Sequence, residues 1–154
     1  MTAVRNSSRL LTLRPVARSG GATAAVWFPL DHPYVERCWT SVLGPTGVAL
    51  LRRAAMLFST SSHPTIDLLD VARDLGITGS DADRRIRRTL QRLERLGFID
   101  RRTTQEADVF VDVPPLPARH LRAATAALRA DHSNLVRQRR IEVGLRNVGD
   151  GSIR

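Results

Sequence analysis

Hydrophobic positions between residues 32 and 60 recur at helical spacing. One set lies at i, i+3, i+4 and i+7 and predicts a helix that begins at His32-Pro33. Its members are Val35, Cys38, Trp39 and Val42. Gly44-Pro45 predicts the end of this helix and the start of another, since glycine favours the position after a helix and proline the first turn. Residues 45–60 are apolar over so broad a face that we expect a mostly buried helix.

Two more helices are predicted between residues 67 and 97. Asp67–Leu75 has the spacing of a short amphipathic helix, and Gly76-Ile77 ends it. Ser80 has the side chain of an N-cap and is followed three residues later by Asp83, which is a variant of the capping box. We therefore expect a longer helix over residues 80–96, with Gly97 as the left-handed residue that ends it.

Beyond Gly97 the pattern becomes that of a hairpin followed by a helix. Phe98-Ile99 and Val109–Val111 have strand composition, and the polar segment Arg101–Glu106 forms the loop between them. Prolines then end the sheet, and helical spacing returns over residues 117–130. The predicted class is α+β and mostly α. Two helices and the hairpin form the central unit, and additional helices lie on its N-terminal and C-terminal sides.

The two ends of the chain are basic. Residues 1–24 contain no acid and end near Ser19-Gly20-Gly21, which predicts a flexible basic arm. Residues 25–132 form the predicted domain, which opens on a short strand at residues 25–30. Residues 133–154 are predicted as a basic C-terminal tail, although their apolar positions also allow the preceding helix to continue.

The net charge of the chain indicates which kind of partner it binds. The formal net charge is +9, a surplus that favours a polyanion and above all nucleic acid. Every Lys or Arg position is arginine, which is typical of a GC-rich genome, so we infer a high-GC bacterium such as an actinobacterium, or a phage, as the source. Between the basic ends, the excess is concentrated in residues 80–102, where eight arginines face four acids.

The predicted helix 80–96 separates these arginines from its apolar residues. At about 100° per residue, one side carries only apolar side chains. These are Ala82, Ile86, Leu90 and Leu93. The remaining circumference is cationic along the whole helix and carries Arg84, Arg85, Arg87, Arg88, Gln91, Arg92 and Arg95. One side is therefore expected to pack, and the other to meet solvent or a partner.

Two stretches of this region resemble the winged helix-turn-helix family of DNA-binding proteins. Residues 66–77 are similar to the family's first motif helix, with Ala72 as the small residue that allows close helix contact. Residues 89–99 are similar to the end of its recognition helix and the entry to the first wing strand. The resemblance covers about a third of the chain. It implies a winged helix fold in which helix 80–96 enters the major groove and loop 101–106 is the wing.

The resemblance also implies a function and a site. The expected partner is double-stranded DNA, and the expected role is transcriptional regulation rather than catalysis. A helix fits the major groove, where arginine can bind guanine and glutamine can bind adenine through paired hydrogen bonds. The expected DNA-binding residues are Ser80, Arg84, Arg85, Arg87, Arg88, Gln91, Arg92 and Arg95, with Arg101 and Arg102 at the start of the wing.

Acidic residues in the same region favour two alternatives. Asp81 and Asp83 can pair with arginines four residues later, and Glu106 and Asp108 make the wing acidic. The fold would then be a scaffold for protein–protein interaction without DNA binding. A further alternative is an RNA-binding or replication accessory factor.

The helix over residues 117–130 raises the question of a dimer. It carries a stripe made of Leu121, Ala124, Ala127 and Leu128. This stripe predicts either a homodimer interface or packing against the helices at residues 34–60.

Other chemistry is not expected. The four histidines lack the spacing of a metal site, and the single cysteine, Cys38, cannot form an internal disulfide. Glycine-rich phosphate loops and nucleophile motifs are missing from the sequence, so we expect neither a cofactor nor enzymatic activity. The chain has no apolar run of membrane-spanning length and no signal-peptide core, which favours a cytoplasmic, nucleoid-associated protein.

Overall fold

A computed structural model describes residues 9–18 and 26–150 and confirms the predicted α+β class. The strands are β1 (Leu10–Val16), β2 (Phe28–Pro29), β3 (Thr65–Asp67), β4 (Ile99–Arg101), β5 (Glu106–Phe110) and β6 (Asp112–Val113). A π-helical segment, Val35–Trp39, precedes the α-helices. These are α1 (Thr40–Phe58), α2 (Leu68–Asp74), α3 (Ala82–Arg95), α4 (Ala118–Ala123) and α5 (Ala126–Asp150).

The N-terminal strand β1 lies inside the larger sheet, whose order is β3-β1-β5-β4. It runs antiparallel to β3, with Leu11 opposite Ile66, and parallel to β5, with Leu13 opposite Ala107. Both leucines are buried. The prediction of a flexible arm over residues 1–24 is therefore wrong for residues 10–16, while residues 1–8 and 19–25 lie outside the described residues. The predicted strand at residues 25–30 is reduced to Phe28–Pro29.

The predicted boundary at Gly44-Pro45 is a kink within α1. Gly44 has φ 77° and ψ 162°, so the chain leaves the helical conformation there and re-enters it at Pro45. A glycine adopts such a positive φ without the steric cost that a Cβ atom would add. The apolar set before the kink, from Val35 to Val42, is buried as predicted.

Helices α2 and α3 end in the same way, as their sequences predict. Gly76 and Gly97 have φ of 74° and 79°. The N–H groups of the next residues, Ile77 and Phe98, donate to carbonyls five residues earlier at 2.8 and 2.9 Å. This is the pattern of a Schellman motif, which satisfies the last carbonyls of a helix.

The two helices begin differently. The Asp67 side chain caps α2 by accepting a hydrogen bond from the Leu69 N–H at 2.8 Å. The predicted Ser80 cap of α3 is wrong, because the N-cap residue is Asp81 and it makes no side-chain capping bond. Ser80 instead belongs to a turn in which the Ala82 N–H donates to the Gly79 carbonyl at 3.3 Å.

The helix predicted over residues 117–130 is divided into α4 and α5. Ala124 is extended, with φ −80° and ψ 157°, and the Thr125 hydroxyl then accepts a hydrogen bond from the Leu128 N–H. Helix α5 continues to Asp150, so the predicted tail over 133–154 is helical in its described part. Of the predicted stripe, Leu121 and Leu128 are partly buried and pack against the core of the same chain, whereas Ala127 is exposed.

Candidate nucleic-acid interface

Helix α3 is fixed to the core by its apolar side. Ala82, Ile86, Leu90 and Leu93 are all 7% exposed or less, which confirms the predicted packing face. Leu90 and Leu93 meet Leu51 of α1 and Val109 of β5 around a small apolar cavity of about 20 Å³. Because this face is buried, the rotation of the helix is set, and the cationic side chains must point away from the core.

The polar side of α3 is mostly accessible. Among the predicted site residues on this helix, the exposed ones are Arg84, Arg85, Arg88, Gln91, Arg92 and Arg95. Arg87 is only 31% exposed in its side chain, because its Nε donates to Asp83 Oδ2 at 2.9 Å. Ser80 is exposed in the turn before the helix. The structure therefore brings these residues together along one helix and its N-terminal turn.

Two carboxylates at the start of α3 offset part of this charge. Asp83 pairs with Arg87, as the i,i+4 spacing predicts. Asp81 does not pair with Arg85 as expected and lies 3.9 Å from Arg84 instead, a pair whose arginine side chain is 73% exposed. Exposed ion pairs of this kind contribute little stability, so Arg84 remains accessible to another anion.

The other arginines of α3 are not matched by acids. Arg92 Nη2 donates to the Val42 carbonyl of α1 at 2.6 Å, which holds the two helices together across the kink. No ion pair within the described residues includes Arg85, Arg88 or Arg95. The cationic side of α3 is consequently neutralised at its N-terminal end only.

The β4–β5 hairpin follows α3 directly and carries the two predicted wing arginines. Its strands pair antiparallel, with Asp100 opposite Asp108. The Arg101 N–H lies 3.4 Å from Glu94 Oε1, which links the start of the hairpin to the end of α3. The Arg101 guanidinium turns back to the Thr104 carbonyl, at 3.4 Å.

Asp108 changes the electrostatic character expected of the wing. Its side chain is 3% exposed, and its Oδ2 accepts a hydrogen bond from Arg102 Nε at 2.7 Å. Its Oδ1 lies 3.7 Å from Arg14 Nε on strand β1. The hydrogen bond to Asp108 raises the pKa of the Arg102 guanidinium above its ordinary value. Arg102, expected to be free for phosphate, is therefore committed to a carboxylate of its own hairpin.

Sequence reasoning missed Arg14 as part of this arrangement. The available signal was the alternation of Leu11 and Leu13 with polar neighbours, which is the period of a strand with one buried face. The basic composition of the surrounding segment outweighed that short pattern.

Other kinds of site receive no support from the described residues. Within residues 9–18 and 26–150, no group of three or more His, Cys, Asp and Glu side chains could hold a metal ion. Among the same residues, no helix combines the length and the apolar character needed to cross a membrane. Cys38 is buried, and this burial raises the pKa of its thiol to about 11.

Comparison of the chain with protein-family models, curated proteins and solved structures found no match. Its fold class therefore follows from its own helices and strands. It is an α+β protein in which a short helix, a tight turn and a longer amphipathic helix precede a β-hairpin. The distinguishing feature of its surface is the arginine-rich side of α3.

Proposed function

We propose that this protein binds double-stranded DNA through a winged helix-turn-helix motif and regulates transcription. In this proposal α2 and α3 form the helix-turn-helix, and the β4–β5 hairpin is the wing. The order of these elements and the glycine-ended turn between the two helices support the proposal.

The observation that carries the proposal is the division of α3 into a buried apolar side and an exposed cationic side. An α-helix has the width of the major groove, and this helix presents guanidinium groups outward over its whole length. Arg88 and Arg95 contribute uncompensated charge, and Gln91 between them offers an amide for base contact. The wing contributes Arg101, whereas the charge of Arg102 is already compensated by Asp108.

Salt dependence of binding to random-sequence duplex DNA tests this function. Each phosphate contact releases condensed counterions, so the logarithm of the affinity should fall linearly with the logarithm of salt concentration, with a slope near −0.9 per contact. We expect a slope that corresponds to several contacts. A protein-interaction scaffold would bind duplex DNA weakly at every salt concentration, and such a result would refute the proposal.

A triple variant tests the assigned helix. Replacing Arg84, Arg88 and Arg95 with alanine removes three exposed charges from α3 without touching its packing side. The matched control replaces Arg122, Arg137 and Arg140, which are exposed on α4 and α5. Both variants have the same net charge.

The comparison between these variants decides where DNA binds. We expect the α3 variant to lose about three contacts from the salt slope while the control keeps most of its affinity. Equal losses, or a larger loss in the control, would move the site to the C-terminal helices. Competition with duplex RNA of the same length distinguishes a DNA-binding from an RNA-binding protein, because the proposal requires DNA to be preferred.

A further inference from the structure

A concave groove lies beside the cationic side of α3. Three arginines of α3, at i, i+3 and i+7, line one wall, and the kinked part of α1 forms the other. The groove has a volume of about 320 Å³, within the range of small-ligand sites. Its principal lining residues are Leu43, Pro45, Thr46, Arg85, Arg88 and Arg92.

Close approach of the two helices sets the depth of this groove. A Cβ atom added to Gly47 of α1 would lie 3.6 Å from Leu93 Cδ2 of α3, which is an ordinary van der Waals distance, so the two helices are in contact at this point. Arg92 closes one side through its 2.6 Å bond to the Val42 carbonyl. A guanidinium has five N–H donors, so this bond leaves others for a ligand.

The charge of the groove is unbalanced. Arg85 and Arg88 form no ion pair within the described residues, and Arg92 is bound only to a neutral carbonyl there. Arginines spaced three and four residues apart on a helix repel each other. An oxyanion between them would relieve this repulsion, and the fork of the guanidinium matches the geometry of phosphate.

We propose that this groove binds the phosphate groups of a small phosphorylated molecule. The concave shape favours such a ligand over base edges, which a convex helix contacts, and the exposed Pro45 offers an apolar contact to the rest of the molecule. The same phosphate chemistry exists in the DNA backbone, and the experiment separates the two sources. The proposal does not depend on DNA binding.

Calorimetric titration of the full chain with pyrophosphate, at constant ionic strength, tests the groove. The first variant, Arg85→Ala with Arg88→Ala, removes two lining arginines. The matched control, Arg84→Ala with Arg95→Ala, removes two exposed arginines of the same helix that do not line the groove. All four side chains are exposed, so both variants should keep the fold, which circular dichroism verifies.

We expect binding of one pyrophosphate, weakened roughly tenfold or more by the first variant, since hydrogen bonds to charged groups are lost. The control should weaken binding less than the first variant does, because it leaves every guanidinium that lines the groove, and its hydrogen bonds, in place. No binding by the unmodified protein, or equal weakening in both variants, would overturn the proposal.

A second titration, in the presence of saturating duplex DNA, identifies the source of the phosphate. Lost pyrophosphate binding would show that the DNA backbone occupies the groove in the complex. Retained binding would show that a free ligand and DNA bind together. Retained binding supports a small-molecule ligand, whereas lost binding would assign the groove to the DNA backbone instead. The first titration stands even if the protein fails to bind DNA.

Discussion

Arg102 Nε donates a hydrogen bond of 2.7 Å to Asp108 Oδ2, and the Asp108 side chain is 3% exposed. The hairpin carries both residues, and strand β1 adds Arg14 on the other side of the carboxylate at 3.7 Å. A buried carboxylate is stable only when it is paired in this way. The bond therefore serves the fold and at the same time compensates the charge of a guanidinium that would otherwise attract an external anion.

Replacing Asp108 with asparagine should separate these two effects. The amide keeps an acceptor for Arg102 but loses its charge, so the free energy of unfolding should fall by about 1–2 kcal/mol. If the wing contacts phosphate, affinity for duplex DNA should rise, because Arg102 and Arg14 are no longer compensated. Urea unfolding and DNA titration at fixed salt measure the two changes.

Asp100→Asn is the control for this change, since Asp100 is the exposed strand partner of Asp108 and its replacement alters the net charge equally. It should leave stability within about 0.5 kcal/mol. DNA affinity that rises equally in both variants would show that net charge, and not the release of Arg102, is responsible.

Gly76 gives a prediction about the turn between α2 and α3. Its φ is 74° and a Cβ atom there would meet no atom within 4 Å, so the cost of Gly76→Ala is conformational and should be about 1 kcal/mol. Gly76→Asn should cost less, because asparagine tolerates this conformation. Gly144→Ala, in the open middle of α5, should instead stabilise the protein by up to about 1 kcal/mol. Chemical unfolding that shows the same sign for both alanine variants would contradict this assignment.

His132 gives the fold a dependence on pH. Its Nδ1 lies 2.7 Å from the Tyr34 hydroxyl, which also accepts the Leu116 N–H at 2.8 Å. A neutral His132 can accept a hydrogen bond from that hydroxyl through Nδ1, and burial lowers the pKa of His132 below its ordinary 6.5. The folded state then binds fewer protons than the unfolded state, so stability is full above about pH 6.5 and falls as the pH drops from there towards the folded pKa.

His132→Asn tests this contribution, because an amide oxygen can accept from Tyr34 but does not take up a proton. Between pH 7.5 and 5, the variant should lose stability less steeply than the unmodified protein. Some slope should remain, since burial also lowers the pKa of His32. His63, which is exposed, is replaced in the same way as the matched control. An identical slope in all three proteins would exclude His132 as the titrating group.

Cys38 should be chemically inert in the folded protein. Burial raises the pKa of its thiol to about 11, and its side chain lies in the core. The thiol is therefore protonated at neutral pH and out of reach of a reagent. Reaction with an aromatic disulfide reagent should be slow in buffer and fast in denaturing urea. Rapid modification without denaturant would show that the segment around Cys38 opens far more often than this packing allows.

Most helical boundaries follow from short sequence patterns. Gly76 and Gly97 end their helices because the hydrogen bonds that close them join residues only five apart, and Gly44-Pro45 interrupts α1 for similarly local reasons. The apolar face of α3 is another local property, set by residues three and four positions apart. These features are predicted correctly for that reason.

The wrong predictions concern features that depend on contacts between distant segments of the chain. Strand β1 pairs with β3 and β5, which lie more than fifty and ninety positions away in the chain, so no local pattern names its partners. The Ser80 cap failed because the turn at Gly79 places Asp81 at the helix start. The sequence allows but does not require the continuation of α5 beyond residue 133, because its contacts there, such as Arg139 with the Trp27 carbonyl, join distant segments.

For the candidate site, local spacing determined which side of α3 is cationic, because side chains one turn apart share a face whatever surrounds the helix. Tertiary structure decided what surrounds the cations: Arg92 is held by a neutral carbonyl of α1 and keeps its charge, whereas Arg102 of the hairpin is compensated by a carboxylate that also lies near Arg14 of strand β1. The physical reason is that periodic burial depends on neighbours in sequence, whereas charge compensation depends on atoms brought within a few ångströms by folding.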